Sequence, residues 1–323
     1  MSATLEGRAE VMKLARLLDT APERLAYLER LTPGGVRALR ERATVALYEG
    51  DCRFGRIALA SRIPPAALTA WIAQHLFGAL LCARVAGLLD TRRAVDLAGR
   101  MPPAFLADLA VQLDPRRARD IIFALPARLI GRVAAELGRR EEYIAMGRFV
   151  GHMTDAALLA AFEVLDDASL LRVSYFVEEK DQLDHVVGLL STERVRGAIR
   201  AATDADLWPQ AIDLLTRVPA QRAGLLADLA AGEDDDVLAG MVRTAQRDRL
   251  WDVVLPVLQN MTEDGRRRFA GLPALHEPDV LVAIVDCALA NDLQSDLLPL
   301  VALLPTGARQ VVAEHAPKVI LGR

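Results

Sequence analysis

The apolar positions of the chain repeat at a fixed interval in its C-terminal third. The segments LWPQAIDLLTRVP (207–219), LWDVVLPVLQNMT (250–262) and LQSDLLPLVALLP (293–305) begin 43 residues apart. Within each segment the apolar residues follow one another at steps of 4, 1, 2, 1 and 3 positions. This spacing places them on one face of an α-helix, whereas a strand would alternate apolar and polar residues. The pattern therefore predicts one helix that occurs three times.

The repeat extends beyond this helix. Residues 236–251, DVLAGMVRTAQRDRLW, align with residues 279–294, DVLVAIVDCALANDLQ, again 43 positions apart. A unit of this length holds two to three helices and is close to a HEAT or armadillo repeat, which buries its apolar face only by stacking on its neighbours. We therefore predict an all-α fold, a right-handed α-solenoid over 91–323, with residues 1–90 as an N-terminal helical cap or small helical domain.

Short helices are also predicted in the middle of the chain. Prolines at 103, 115 and 126 separate helical segments of about a dozen residues. Predicted helix starts, each with a capping side chain, are Asp114 before Pro115, Thr20 with Glu23, Thr154 and Thr262.

The run RMPPAFLADLAVQLDPRRARDIIFALP (100–126) carries a family resemblance. It resembles the N-terminal cytoplasmic helical domain of MgtE-type magnesium transporters and the related armadillo-like middle region of the flagellar motor switch protein FliG. The resemblance covers about 97–137 and, more loosely, 142–231. It implies a superhelix of short helices. The chain contains neither the paired regulatory domains nor the membrane bundle of the transporters, so their magnesium-sensing residues are not carried over.

Composition and charge narrow the classes of function. A net charge of −4 gives no global positive field for nucleic acid. Basic clusters such as 37–42 and 114–120 are interleaved with acids and have no aromatic platform for bases. The three cysteines have neither metal-site nor disulfide spacing. Because the N-terminus also lacks a signal peptide, we expect a cytoplasmic protein that binds no nucleic acid.

One segment combines high hydropathy with aromatic side chains. Residues 66–83, AALTAWIAQHLFGALLCA, carry no formal charge. We interpret them as a buried helix rather than a transmembrane segment, and keep a lipid-facing or ligand-lining surface as the alternative. Trp71 and His75, four positions apart in this helix, are candidate binding residues.

Catalytic or cofactor chemistry is not indicated by any motif. The five histidines stand singly, and no phosphate-binding loop or zinc spacing is present. The acidic patches 178–181 and 233–236 are interpreted as solvated turns at helix starts, with divalent-cation binding as the alternative. We expect no enzyme activity, no cofactor and no metal site.

These features favour a scaffold or binding module that holds a protein partner or a second copy of itself. Arg116 and Arg117 are candidate partner contacts, and reversing their charge is expected to abolish binding without loss of the fold. Trp208 and Trp251, one repeat apart, serve either repeat packing or a ligand or peptide surface.

Two alternatives remain open. The first is a carrier of an apolar lipid-like or terpenoid-like molecule, suggested by the apolar content of 52% and the uncharged helix 66–83. An added carboxylate at Ala70 or Leu80 is expected to disrupt such a carrier. The second is a divalent-metal-responsive regulatory module, suggested by the transporter resemblance alone.

Overall fold

The computed structural model describes residues 5–48, 52–61, 63–178 and 180–315. Every regular element in these ranges is helical, which confirms the all-α prediction. The chain divides into two compact units, Met1–Gln182 and Leu183–Arg323. The boundary predicted after residue 90 stays a prediction, and helices on either side of it pack against each other.

The first unit contains twelve α-helices among the described residues. They are α1 Leu5–Leu17, α2 Pro33–Tyr48, α3 Cys52–Ala60, α4 Ala66–Ile72, α5 Gly78–Ala86, α6 Thr91–Gly99, α7 Pro103–Gln112, α8 Arg119–Ala124, α9 Ala127–Arg139, α10 Tyr143–Phe149, α11 Asp155–Phe162 and α12 Asp167–Phe176. Two 3₁₀ segments, Pro22–Arg30 and Val150–His152, and a π-helical turn, Ala73–Phe77, connect some of them.

Helices α3 to α12 form two rows. The odd-numbered helices α3, α5, α7, α9 and α11 each pack on the next member of their row. In the other row α4 packs on α6 and α6 on α8, α8 continues to the 3₁₀ segment Val150–His152, and α10 packs on α12. Helix α9 shows why the sequence folds this way: Ile130, Ala134 and Leu137 are buried at steps of four and three.

The second unit continues with α13 Lys180–Leu189 and nine further α-helices of the described chain. These are α14 Thr192–Asp204, α15 Trp208–Arg217, α16 Ala220–Ala231, α17 Asp235–Asp248, α18 Trp251–Leu258, α19 Glu263–Ala270, α20 Pro278–Ala290, α21 Gln294–Leu303 and α22 Thr306–His315, with a 3₁₀ segment at Pro273–His276.

The starts of these nine helices keep the interval found in the sequence. The first helices of the three groups begin at 192, 235 and 278, the second at 208, 251 and 294, and the third at 220, 263 and 306. Each start is therefore 43 residues after the corresponding start in the group before it. The unit that repeats thus contains three helices.

The ends of the first helices in these groups also correspond. Asp206, Arg249 and Asp292 have left-handed backbones with φ of 51°, 57° and 56°. The N–H of the following leucine, at 207, 250 and 293, donates to the carbonyl of an alanine five residues earlier. This is the bond that closes a helix end of the Schellman type, and it occurs here without glycine.

Two of the predicted helix starts are confirmed and two are wrong. Thr154 and Thr262 accept N–H bonds at the starts of α11 and α19. Asp114 instead accepts the N–H of Arg116 at 3.2 Å, which forms a turn, and α8 begins only at Arg119. At Thr20 the next element is a 3₁₀ segment that follows Ala21 and has no side-chain cap.

Candidate functional site

An apolar cavity lies between the two helix rows of the first unit. Its volume is about 220 Å³, larger than an apolar cavity of about 150 Å³ that binds benzene. Residues from α3 in the N-terminal part to α12 at the end of the unit line it. Since both rows contribute along their length, the cavity is elongated in the direction in which the helices succeed one another.

The lining carries no charged side chain and three polar ones. Ser61 Oγ donates to the carbonyl of Ala58 at 2.7 Å. Thr69 Oγ1 donates to the carbonyl of Pro65 and accepts from Arg93 Nη2, each at 3.2 Å. These hydroxyls are thus already hydrogen-bonded within the protein. A molecule in the cavity would be recognised by shape and apolar contact rather than by directed hydrogen bonds.

The third polar group, the thiol of Cys82, is chemically inert under ordinary conditions. Burial raises the pKa of the Cys82 thiol to about 11, and its Sγ lies 3.6 Å from the carbonyl oxygen of Ala73. Because the thiolate is the nucleophilic form, the protonated Cys82 behaves as a small apolar side chain at neutral pH.

The uncharged segment 66–83 forms one wall of the cavity. Its inward positions include Ala73, Phe77 and Leu81, which line the cavity. Its outward positions, among them Leu76 at 68% exposure, face away from it. The interpretation of this segment as a buried helix is therefore wrong, because only its alanine-rich inner side is covered. The ligand-lining alternative agrees with the geometry.

The same stretch also satisfies a length and hydropathy test for a membrane span. Residues Ala66–Ala86 have a mean hydropathy of 1.5 over the most apolar window, of which 22% is buried. The π-helical turn Ala73–Phe77 lies in its middle, and Gly78 follows it with a φ of 73°, a backbone that glycine adopts without strain. The expected absence of a transmembrane segment stays a prediction.

Trp71 and His75 lie together on the outer side of this helix. Their rings stack at a centroid distance of 4.8 Å, and His75 Nδ1 lies 2.8 Å from the Trp71 carbonyl oxygen. Both side chains are exposed and neither lines the cavity. Their role as binding residues stays a prediction. Neither Ala70 nor Leu80, the two positions named above for an added carboxylate, lines the cavity. Ala70 packs in a cluster with Leu97, and Leu80 is exposed.

Trp208 and Trp251 are buried in the second unit, with 5% and 2% exposure. The indole Nε1–H of Trp208 donates to Thr203 Oγ1, and that of Trp251 to Gln246 Oε1, both at 3.0 Å. Donor and acceptor are five residues apart in each case, and the two pairs are one repeat apart. This geometry favours the packing interpretation of both tryptophans over a ligand surface.

Arg116 and Arg117 lie in the turn before α8 and are exposed. Arg116 forms ion pairs with Glu41 at 3.3 Å and with Asp114 at 3.6 Å, and Arg117 pairs with Asp114 at 3.8 Å. Neither arginine lines the cavity. Their role as partner contacts stays a prediction.

The acidic patch 233–236 divides into two parts. Glu233 is buried and its two carboxylate oxygens accept from Arg196 at 2.6 Å and from Arg200 at 2.8 Å, whereas the three aspartates that follow are exposed. Across the residues that the structure describes, no three His, Cys, Asp or Glu side chains are grouped to hold a metal ion. The patch 178–181 lies partly outside the described residues.

No family model, curated protein or solved structure matches this chain. The resemblance to the magnesium-transporter and FliG helical domains therefore stays a prediction, and function has to be argued from the cavity itself.

Sequence reasoning did not identify the residues that line the cavity. Leu109, Ile130 and Phe149 are ordinary apolar positions of short amphipathic helices. The periodicity of such positions is the same whether their side chains meet in a close-packed core or surround a cavity. The high apolar content and the uncharged helix were the available signals, and they indicated an apolar site without its location.

Proposed function

We propose that the first unit binds an elongated apolar molecule, such as an acyl or isoprenoid chain, and that the protein is a carrier for it. The observation that carries this proposal is the cavity between the two helix rows, with a volume of about 220 Å³ and no charged lining residue. Among the interpretations from sequence, the geometry supports the apolar carrier best.

The energetic argument concerns the apolar lining of the cavity, which is partly open to solvent and carries no charged side chain. Covering apolar surface with an apolar molecule is favourable by roughly 25 cal/mol per Å². A bound apolar molecule would also gain contacts with the lining. The absence of charged lining groups favours a hydrocarbon over a polar metabolite.

The same features support binding without catalysis. The two hydroxyls at the cavity donate to backbone carbonyls, and the raised pKa of the Cys82 thiol keeps it protonated. Nucleophilic or acid–base catalysis needs groups of a different kind, activated and aimed at the substrate.

The repeated helices of the second unit support a separate structural proposal. Helices of adjacent groups pack on each other, as α16 does on α19 and α18 on α21. Stacking of equivalent neighbours is how α-solenoids are built, and we propose this arrangement for the unit. A protein partner on it, and the cytoplasmic location, stay predictions.

The test compares the native and denatured masses of the purified protein. We expect a native excess of a few hundred daltons that disappears on denaturation. If the protein is purified empty, titration with a naturally fluorescent polyunsaturated fatty acid is expected to saturate at one molecule per chain. A single mass equal to that of the sequence, together with no saturable fluorescence, would contradict the proposal.

A matched pair of variants in α11 locates the binding. Ala161→Phe places a ring in the cavity, because Ala161 lines it, and is expected to abolish binding. Ala156→Phe makes the same change at an exposed position of the same helix and is expected to bind like the wild type. Circular dichroism checks that both variants fold. Equal binding by the two variants would place the ligand elsewhere.

A further inference from the structure

The wall of the cavity formed by residues 66–86 has a second apolar face, which points outward. Leu76, Trp71 and Leu80 are exposed by 68%, 52% and 51%, and Ile63, just before the helix, by 86%. Large groups of exposed apolar side chains mark sites of interaction with proteins or membranes. We call Ile63, Leu68, Trp71, Leu76, Phe77 and Leu80 the docking face.

We infer that the docking face binds the surface of an anionic lipid bilayer, where the carrier takes up or releases its apolar ligand. This inference rests on the proposed function. The docking face is then the place where a ligand that is too apolar to diffuse through water enters the cavity.

The two faces of the segment connect the bilayer to the cavity. The outward residues Leu68 and Trp71 are one turn apart, and the π-helical turn makes the next step, from Trp71 to Leu76, five residues long. Leu80 lies beyond the break in the helix at Gly78 and is also exposed. Phe77 belongs to both faces, since it lines the cavity and is 44% exposed. It therefore lies where the cavity meets the docking face.

The charges that flank the docking face complement anionic headgroups. Residues 52–93 contain six arginines and one acidic residue, Asp90, although acidic residues outnumber basic ones in the rest of the chain. Arg56 before the face and Arg92 after it are exposed. Arginine side chains next to an apolar helix face add electrostatic attraction to the burial of apolar area at an anionic membrane.

The same charges argue against a second copy of the chain as the occupant. Arginines lie on both sides of the segment in the sequence, and Asp90 is the one acidic residue among them, so a second copy would bring few negative charges to meet them. A bilayer with anionic lipids offers negative charge at both ends.

Packing favours a position in the membrane surface rather than across it. Helix α4 packs on α6 and α5 on α7, and the inner face lines the cavity. A helix that crossed the bilayer would lose these contacts. A helix lying in the interface keeps them and buries only its outer side chains.

Vesicle co-flotation of the full-length protein tests the inference. We expect the protein to float with phosphatidylcholine vesicles that contain phosphatidylglycerol, less with phosphatidylcholine alone, and less as ionic strength rises. Leu76→Asp is expected to weaken binding to the anionic vesicles by about ten-fold. Leu225→Asp, at a similarly exposed leucine of the second unit, is the matched control and is expected to bind like the wild type.

Three outcomes would overturn the inference. The first is equal flotation of wild type and Leu76→Asp. The second is self-association, seen by sedimentation velocity, that Leu76→Asp abolishes while no variant floats, which would make the face an interface between copies. The third is bound protein that resists extraction by alkaline carbonate, which indicates a spanning helix.

The failure of this inference can be told apart from failure of the proposed function. Leu76 does not line the cavity, so Leu76→Asp is expected to bind the fluorescent fatty acid like the wild type. Fatty-acid binding without flotation would leave the carrier standing and remove the docking surface. Flotation without fatty-acid binding would leave the docking surface standing and contradict the carrier function.

Discussion

Glu10 shows how one buried carboxylate organises the start of the first unit. It is 1% exposed, and its oxygens accept from Lys13 Nζ at 3.0 Å and from Arg40 Nε at 3.2 Å. Arg40 also pairs with Glu178 at 2.9 Å. Burial alone would raise the pKa of Glu10, but the neighbouring cations Lys13 and Arg40 lower it overall.

We expect Glu10→Gln to lower the free energy of unfolding by about 3 kcal/mol, because it leaves Lys13 buried without its hydrogen-bonded counter-charge and Arg40 paired with Glu178 alone. Glu263→Gln removes a pair with Arg267 in which both side chains are exposed, and should cost less than about 1 kcal/mol. Urea unfolding at pH 7 measures both. Equal effects would mean that the buried cluster contributes no more than a surface pair.

The effect of Glu10 should also depend on pH. The pKa of Glu10 is lower in the folded protein than its ordinary value of 4.5, so the unfolded chain binds the proton more readily. The stabilisation is fully present above pH 4.5 and is lost as pH falls toward the folded pKa. The difference between wild type and Glu10→Gln should therefore shrink below pH 4.5. A difference that stays constant down to pH 3 would contradict the ionic origin of the effect.

At the scale of the helices, the left-handed residues Asp206, Arg249 and Asp292 are a source of backbone strain, because none of them is glycine. A left-handed backbone costs a residue with a Cβ about 1–2 kcal/mol. Arg249 has this backbone at the end of α17, is exposed, and is followed by the hydrogen bond from Leu250 to Ala245.

We expect Arg249→Gly to raise the free energy of unfolding by about 1 kcal/mol. The control is Arg243→Gly, at an exposed position inside the same helix, where the loss of helix propensity should lower stability by about 1 kcal/mol. Urea unfolding followed by tryptophan fluorescence, to which the buried Trp208 and Trp251 contribute, compares the two. Destabilisation by both variants would mean that the arginine side chain contributes more than the backbone strain costs.

Helix positions could be predicted from sequence better than helix starts could. The 43-residue interval can be read from apolar positions such as Leu207, Leu250 and Leu293, and the helix starts are separated by the same interval. The start at Asp114–Pro115 was predicted wrongly because Asp-Pro suits a turn as well as a helix, and tertiary contacts decide between the two. The exposed outer side of 66–83 was missed because hydropathy records how apolar a helix is, not whether anything covers it.

At the scale of the molecule, the cavity lies within the first unit alone, since its lining runs from Ile57 to Val173. Ligand binding stabilises only the structure that must open to release the ligand. At a ligand concentration of about 100 times Kd this amounts to about 2.7 kcal/mol. The helices of Leu183–Arg323 contribute no lining residue, so bound ligand is not expected to stabilise them directly.

Hydrogen exchange measured by mass spectrometry with saturating fluorescent fatty acid is therefore expected to slow by about 100-fold in α3 to α12. Exchange in α14 to α22 should stay unchanged. The Ala161→Phe variant, whose cavity is filled, should show no slowing anywhere with the same fatty acid. Slowing that is confined to α14 to α22 would place the ligand on the repeated helices. Equal slowing in both units would contradict a binding site confined to the first unit.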